Sequence, residues 1–164
     1  MEDWIDSHIV ASEFADMKSF GINFLRLPLG YWNVVDMPGN PNAPEKEAER
    51  MGHLKDIMPA AGYKKYIDRV IDYSKQNGIQ ILFDLHGAPG SQSPESNTGC
   101  SHKHGKMPWQ QGVYWDTDWN KTWTKNAILA LAQICKDAGD TCYGVELLNE
   151  PDWRISRGHL KEFY

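Results

Sequence analysis

Arg26, His86 and Glu150 are the residues whose types and positions could do chemistry together. Each stands in or at the end of a short apolar run. Arg26 interrupts Ile22–Leu29 (INFLRLPL) and shares parity with Ile22 and Phe24. Asp84 and His86 share parity at the end of Ile79–Leu85 (IQILFDL). Glu146, Leu148 and Glu150 share parity along the third run, which starts at Tyr143 and is closed by Asn149-Glu150-Pro151. Proline has no N–H to give a ladder, so Glu150 is expected at the lip of a strand, on the face of Glu146. A carboxyl group near a cation and an imidazole is the raw material of general acid/base chemistry. Singly, each residue has a plainer account. An arginine can pack its stem and send its head to water or to a carboxylate, and a lone histidine is commonly a hydrogen-bonding residue. The coincidence of the three at corresponding strand ends is what points to a site.

Two other clusters carry less. Cys100-Ser-His102-Lys-His104 offers a thiol and two imidazoles. Zinc takes four ligands in a tetrahedron, and alternate residues of a loop rarely deliver three, so a solvated loop is expected and no metal. Asp116-Thr-Asp118 precedes a helical pattern, where Asp118 or Asn120 is expected as N-cap rather than as a calcium ligand. There is no phosphate-cradling glycine loop and no serine on a nucleophile elbow, and no cofactor is expected.

The elements that must position these residues are read from periodicity. Val10, Phe14 and Met17 lie on one helical face, with Gly21 as a stop. Tyr63, Tyr66, Ile67, Val70, Ile71 and Ser74 form an amphipathic stripe closed by Asn77-Gly78. Asn120 to about Lys136 is a third helix, with Trp123, Ala127, Leu131 and Ile134 on one face. Strands are expected near 22–29, 79–85 and 143–149, and a last short segment over Ile155–Tyr164. Strands alternating with helices imply a parallel sheet. Long connections, 31–60 and 87–119, follow the carboxyl ends of strands, the end where α/β architectures carry their sites.

The chain has 164 residues, 22 acidic against 17 Lys and Arg, and a formal charge of -5. One domain is the natural expectation. The charge argues against a nucleic-acid groove or an anionic membrane as partner, and no apolar run approaches the roughly 20 residues that span a bilayer. The acidic start, Met1-Glu-Asp-Trp-Ile-Asp6, does not resemble a signal peptide. Cys100, Cys135 and Cys142 allow one bridge and a free thiol; a 135–142 bridge and buried free thiols are both open. Seven Trp and seven Tyr serve packing as readily as sugar stacking.

Asn149-Glu150-Pro151 after an apolar strand, Asp84-Leu-His86-Gly-Ala-Pro-Gly-Ser-Gln92 and Arg26-Leu-Pro28-Leu-Gly-Tyr-Trp32 together resemble glycoside hydrolase family 5, and within it the exo-β-1,3-glucanase branch. The resemblance implies a partial (β/α)8 barrel, its strands two to four, and a retaining double displacement on β-glucan. By it, Glu150 matches the general acid/base and Asn149 the residue that bonds the sugar 2-hydroxyl. Arg26 and His86 match residues holding carboxylates and sugar at the cleavage point, and Asn97 a sugar-contacting loop residue. Glu95 stands where an aromatic clamp is usual. An extracellular or cell-wall location follows from the resemblance alone.

A complete barrel takes about 250 residues. The family's nucleophile glutamate lies on the seventh strand, beyond this chain. Retaining hydrolysis needs two carboxyl groups about 5–5.5 Å apart. Glu146 and Asp84 are the stand-ins within the chain, and neither has an evident in-line path to a sugar. The expectation is therefore a part of a β-glucan hydrolase, inactive alone. The rivals are a truncated glucan-binding decoy and a half-barrel completed by another chain or by self-association, because an open three-stranded sheet exposes two edges and an apolar face.

Overall fold

The computed structural model describes residues 2–38, 59–94, 98 and 113–164. Among them the order is α1 (Glu2–His8), α2 (Ala11–Ser19), β1 (Phe24–Gly30), α3 (Ala60–Asn77), β2 (Gln80–Gly87), α4 (Asp118–Ala138), β3 (Cys142–Glu146) and α5 (Arg157–Phe163), with single 3-10 turns at Tyr31–Asn33 and Gly139–Thr141. The periodic stripes become helices that bury those stripes. In α3 the buried residues are Tyr63, Tyr66, Ile67, Val70 and Ser74, and Gly78 ends it at φ 65°. That left-handed turn lets the Ile79 amide donate to the Ser74 carbonyl at 2.9 Å.

One helical expectation is corrected, and one helix is added. The N-cap of α4 is Thr117, whose hydroxyl accepts from the Asn120 amide, and neither Asp118 nor Asn120 fills that place. The hydroxyl stands at the position from which a side chain reaches the third helical amide. Asn120 is instead buried inside the helix, donating to the Tyr114 carbonyl at 2.7 Å. Helix α1 had no periodic signal. An Asp6–Arg69 ion pair of 2.8 Å ties it to α3.

The three strands form one parallel sheet in the order β1-β2-β3. The first two match their expected spans within two residues at each end, whereas β3 stops at Glu146 rather than 149. Leu148 leaves the strand to join a second core, so the expected shared parity of Glu146, Leu148 and Glu150 does not hold. The register also shifts twice. Between Leu29 and Gly30 the partner jumps from Leu85 to Gly87, which leaves His86 as an extra residue in β2. Between Ile81 and Leu82 the partner jumps from Cys142 to Gly144, which leaves Tyr143 extra in β3. Such bulges re-aim side chains next to sites.

One face of the sheet is covered. Ile81, Phe83 and Leu85 alternate along β2 and pack with Phe14 of α2, Ile67 and Val70 of α3, and Ala127 and Leu131 of α4. Three helices thus lie on one side, as in the wall of a barrel. The face left open is not the apolar one: it carries Arg26, Asp84 and Glu146, with Phe24 and Tyr143 in edge-to-face contact at 5.1 Å beside them. Cys135 near the end of α4 is bridged to Cys142 at the start of β3, with Cα atoms 5.2 Å apart, which settles the pairing that spacing left open. A smaller core of Ala88, Trp115, Leu148 and Ile155, joined by Leu160 and Phe163, underlies the loops at the carboxyl edge.

Candidate functional site

Parallel pairing puts Arg26 opposite Leu82, and Asp84 opposite Glu146. Arg26 therefore starts one level below the two carboxylates, and its long stem carries the guanidinium up to them. Nε donates to Oε2 of Glu146 at 2.8 Å and Nη2 to Oε1 at 2.9 Å, a bidentate pair. Nη2 also lies 2.9 Å from Oδ2 of Asp84 and donates to Oδ1 of Asn149 at 2.9 Å. Asp84 is fully buried, and its Oδ2 also meets Nδ1 of His86 at 2.7 Å. A carboxylate can only accept, so Nδ1 is the donor and Nε2 points away from the pair.

The network sets the charges. Glu146 is held below the usual carboxylate range, first by the hydrogen bonds from Arg26. Arg26 is raised, again chiefly by Glu146, with Asp84 and Glu150 adding to it. Asp84 moves the other way: burial raises it, against the pull of His86 and Arg26. Tyr164, at the end of the chain, is raised by burial and by the charge of Glu146.

Asn149 and Glu150 follow β3 as a turn. The Asn149 amide donates to the Leu85 carbonyl at 3.0 Å, which fastens the turn to β2. With Oδ1 held by Arg26, the Nδ2 donor of Asn149 is buried and has no partner among the described residues. Glu150 is exposed and takes φ 41°, in the left-handed region. Its charge still acts on Arg26.

Arg26, His86 and Asn149 are thus brought into one hydrogen-bonded cluster, with Glu150 adjoining it in sequence and in charge. Asn97 lies outside the described residues, as do Glu95, Cys100, His102 and His104. Among the described residues no group of three or more His, Cys, Asp and Glu could hold a metal ion. Sequence reasoning treated Glu146 and Asp84 as stand-in carboxylates and did not see them as the partners of Arg26. Their shared parity with the strand-end residues was the available signal. It also gave no role to Gln92, which is fully buried and donates to the carbonyls of His86 and Asn149. Its place at the end of the Asp84–Gln92 motif was the only hint.

The fold and these residues can be set beside known proteins. The family model "Cellulase (glycosyl hydrolase family 5)" matches residues 1–158. Glucan 1,3-beta-glucosidase of Blumeria graminis is 35% identical over 157 residues, covering 95% of this chain and 31% of that protein. Probable glucan 1,3-beta-glucosidase A of Aspergillus niger is 34% identical over 160 residues, covering 96% and 32%. The chain spans about a third of the length of the curated relatives it matches. Among solved structures, rutinosidase from Aspergillus niger superposes with a TM-score of 0.61 at 20% identity, covering 87% of this chain and 34% of that one. That likeness bears on the fold, a partial (β/α)8 barrel of three parallel strands and their helices. With its model matched over nearly the whole length and the strand-end residues gathered at one edge, the chain belongs to glycosyl hydrolase family 5.

Proposed function

We propose that the chain carries the acid/base side of a retaining hydrolase acting on β-1,3-glucan, with Glu150 as the general acid/base. One observation carries the reading: Arg26 gathers Glu146, Asp84 and Asn149 beside an exposed Glu150, and the Asn149 Nδ2 donor is left buried and unmatched among the described residues. A buried donor without a partner is costly. A sugar 2-hydroxyl would supply the missing acceptor. His86, oriented through Nδ1 by Asp84, and Arg26 would hold the sugar ring and the carboxylates at the cleavage point. Asn97 is assigned a sugar contact by family resemblance. The relatives named as glucan 1,3-beta-glucosidases support this substrate class.

Among the described residues, the two carboxylates weighed as stand-in nucleophiles, Asp84 and Glu146, are already bound to Arg26. The nucleophile is therefore assigned to polypeptide beyond these residues, in the same protein or in another chain or second copy that completes the barrel. The open sheet face, with Phe24 and Tyr143 exposed, supports completion of that kind. An oxidising, extracellular or cell-wall setting accords with the Cys135–Cys142 bridge. No cofactor enters the mechanism.

The test is laminarin hydrolysis, with product anomers followed by NMR. The 164 residues alone should not turn laminarin over, because a general acid by itself contributes only about 10²–10⁴-fold. The completed barrel should hydrolyse it with retention, and Glu150→Gln should abolish that. Turnover by the 164 residues that vanishes in Glu150→Gln would overturn this expectation and point to a nucleophile within the chain or to one supplied by self-association. Binding of glucan without turnover by the completed barrel would favour a decoy.

A further inference from the structure

We propose that Gln92 is the positioning residue for Glu150: it clamps the turn that presents the acid/base carboxyl. The inference rests on the acid/base reading of Glu150 and goes beyond it. Gln92 lies on the loop after β2, is fully buried, and uses its whole amide. Oε1 accepts from the Ala88 amide at 3.0 Å. Nε2 donates to the His86 carbonyl at 2.7 Å and to the Asn149 carbonyl at 2.9 Å. Its own backbone carbonyl accepts from the Asp152 amide at 2.8 Å. Gln92 therefore holds the chain on both sides of Glu150, through the carbonyl just before it and an amide two residues after it.

Glu150 is where such a clamp is needed. It has φ 41°, and a non-glycine residue stays in the left-handed region only where its surroundings over-determine it. Strand pairing does not do this, since β3 ends at Glu146. The Asn149 amide is held by Leu85. The peptide linking Asn149 to Glu150 is held by Gln92 through its carbonyl. The same Nε2 holds the His86 carbonyl at the β2 bulge, so one amide group sets the spacing between His86 and the acid/base turn. A misplacement of the order of 1 Å there can cost about 100-fold in rate.

The test uses the longest natural polypeptide that contains these residues and two substrates. Laminaribiose has a poor leaving group and needs the proton from Glu150. With 2,4-dinitrophenyl β-glucoside the leaving phenolate needs no proton, and added azide accepts the glucosyl group without a base. Gln92→Met keeps the shape and loses the amide. It should lower kcat on laminaribiose about 100-fold, with KM little changed, and spare the dinitrophenyl substrate in azide. An equal loss on both substrates in a folded variant, or no loss, would overturn the proposal. Gln92→Glu covers the case in which Gln92→Met does not fold. Its carboxyl can donate only when protonated, so its deficit on laminaribiose relative to the parent should shrink as pH falls; a deficit constant with pH would count against the clamp. Glu150→Gln on the same two substrates keeps the two ideas apart. If it shows the split and Gln92→Met does not, only the clamp is lost. A parent that cleaves neither substrate, or a Glu150→Gln variant as active on laminaribiose as the parent, removes the acid/base reading and this inference with it.

Discussion

Successive residues of β2 look into two different environments. Ile81, Phe83 and Leu85 face three helices and are wholly buried among apolar side chains. Asp84, one residue away, is buried as completely but faces Arg26, and His86 closes the same cluster. The covered face is stabilised by area and volume removed from water, so a substitution there should cost what its atoms and cavity dictate. The other face is held by matched charges and hydrogen bonds, so the cost of a change depends on what it leaves unmatched. Equal burial therefore does not mean equal tolerance.

The largest effect should come from Phe83→Ala, a loss of about 3–5 kcal/mol from a side chain with no exposed surface. Urea unfolding reads it as a lower midpoint with an unchanged slope, and Phe83→Leu should cost much less. A larger loss from any single change on the opposite face would invert the comparison.

Next comes Arg26→Met, expected to cost about 3 kcal/mol because it strands a buried Asp84 beside Glu146. Adding Asp84→Asn should recover part of that loss, leaving the pair non-additive by about 1 kcal/mol or more. Simple additivity in the double-mutant cycle would mean that the two residues do not share a network.

The smallest effects are in pH. Arg26 depresses Glu146, so the stability Glu146 contributes is present above the ordinary carboxylate range and is lost as pH falls through its lowered value. Burial raises Asp84, so its contribution is present below the ordinary range and is lost as pH rises through its raised value. Melting temperature followed against pH should show Glu146→Gln flattening the acid-side loss and Asp84→Asn removing the opposing gain. Parallel shifts in both variants would show that the two carboxylates titrate alike, against the geometry.

The helices were legible because their apolar stripes are local. Tyr63 to Ser74 can face a core only as a helix, and Asn77-Gly78 marks where it stops. The three parallel strands were legible for the same reason. The end of β3 was not, because Leu147 and Leu148 are as apolar as strand residues and nothing local says that Leu148 will pack on Trp115 and Ile155. Helix α1 was missed since its evident tie is a distant one, from Asp6 to Arg69. Within the site, residue types and strand ends pointed to Arg26, His86, Asn149 and Glu150, while the carboxylates that hold Arg26 had been weighed for a different task.

By itself the sequence determined that α2 to α4 are helices, that β1 to β3 are strands running parallel, and which polar residues stand at their carboxyl ends. These follow from periods of 3.6 and 2 and from punctuation by Gly and Pro, all of them short-range. Tertiary structure alone decided the rest. It set the bulges at His86 and Tyr143, the Cys135–Cys142 pairing, the convergence of Arg26 on two carboxylates from two other strands, and the left-handed turn at Glu150. The physical reason is range: the bulges, the Arg26 network and the surroundings of the Glu150 turn depend on which atoms from distant parts of the chain come to lie within about 3 Å, and the Cys135–Cys142 pairing depends on how α4 meets β3; no local pattern carries that information.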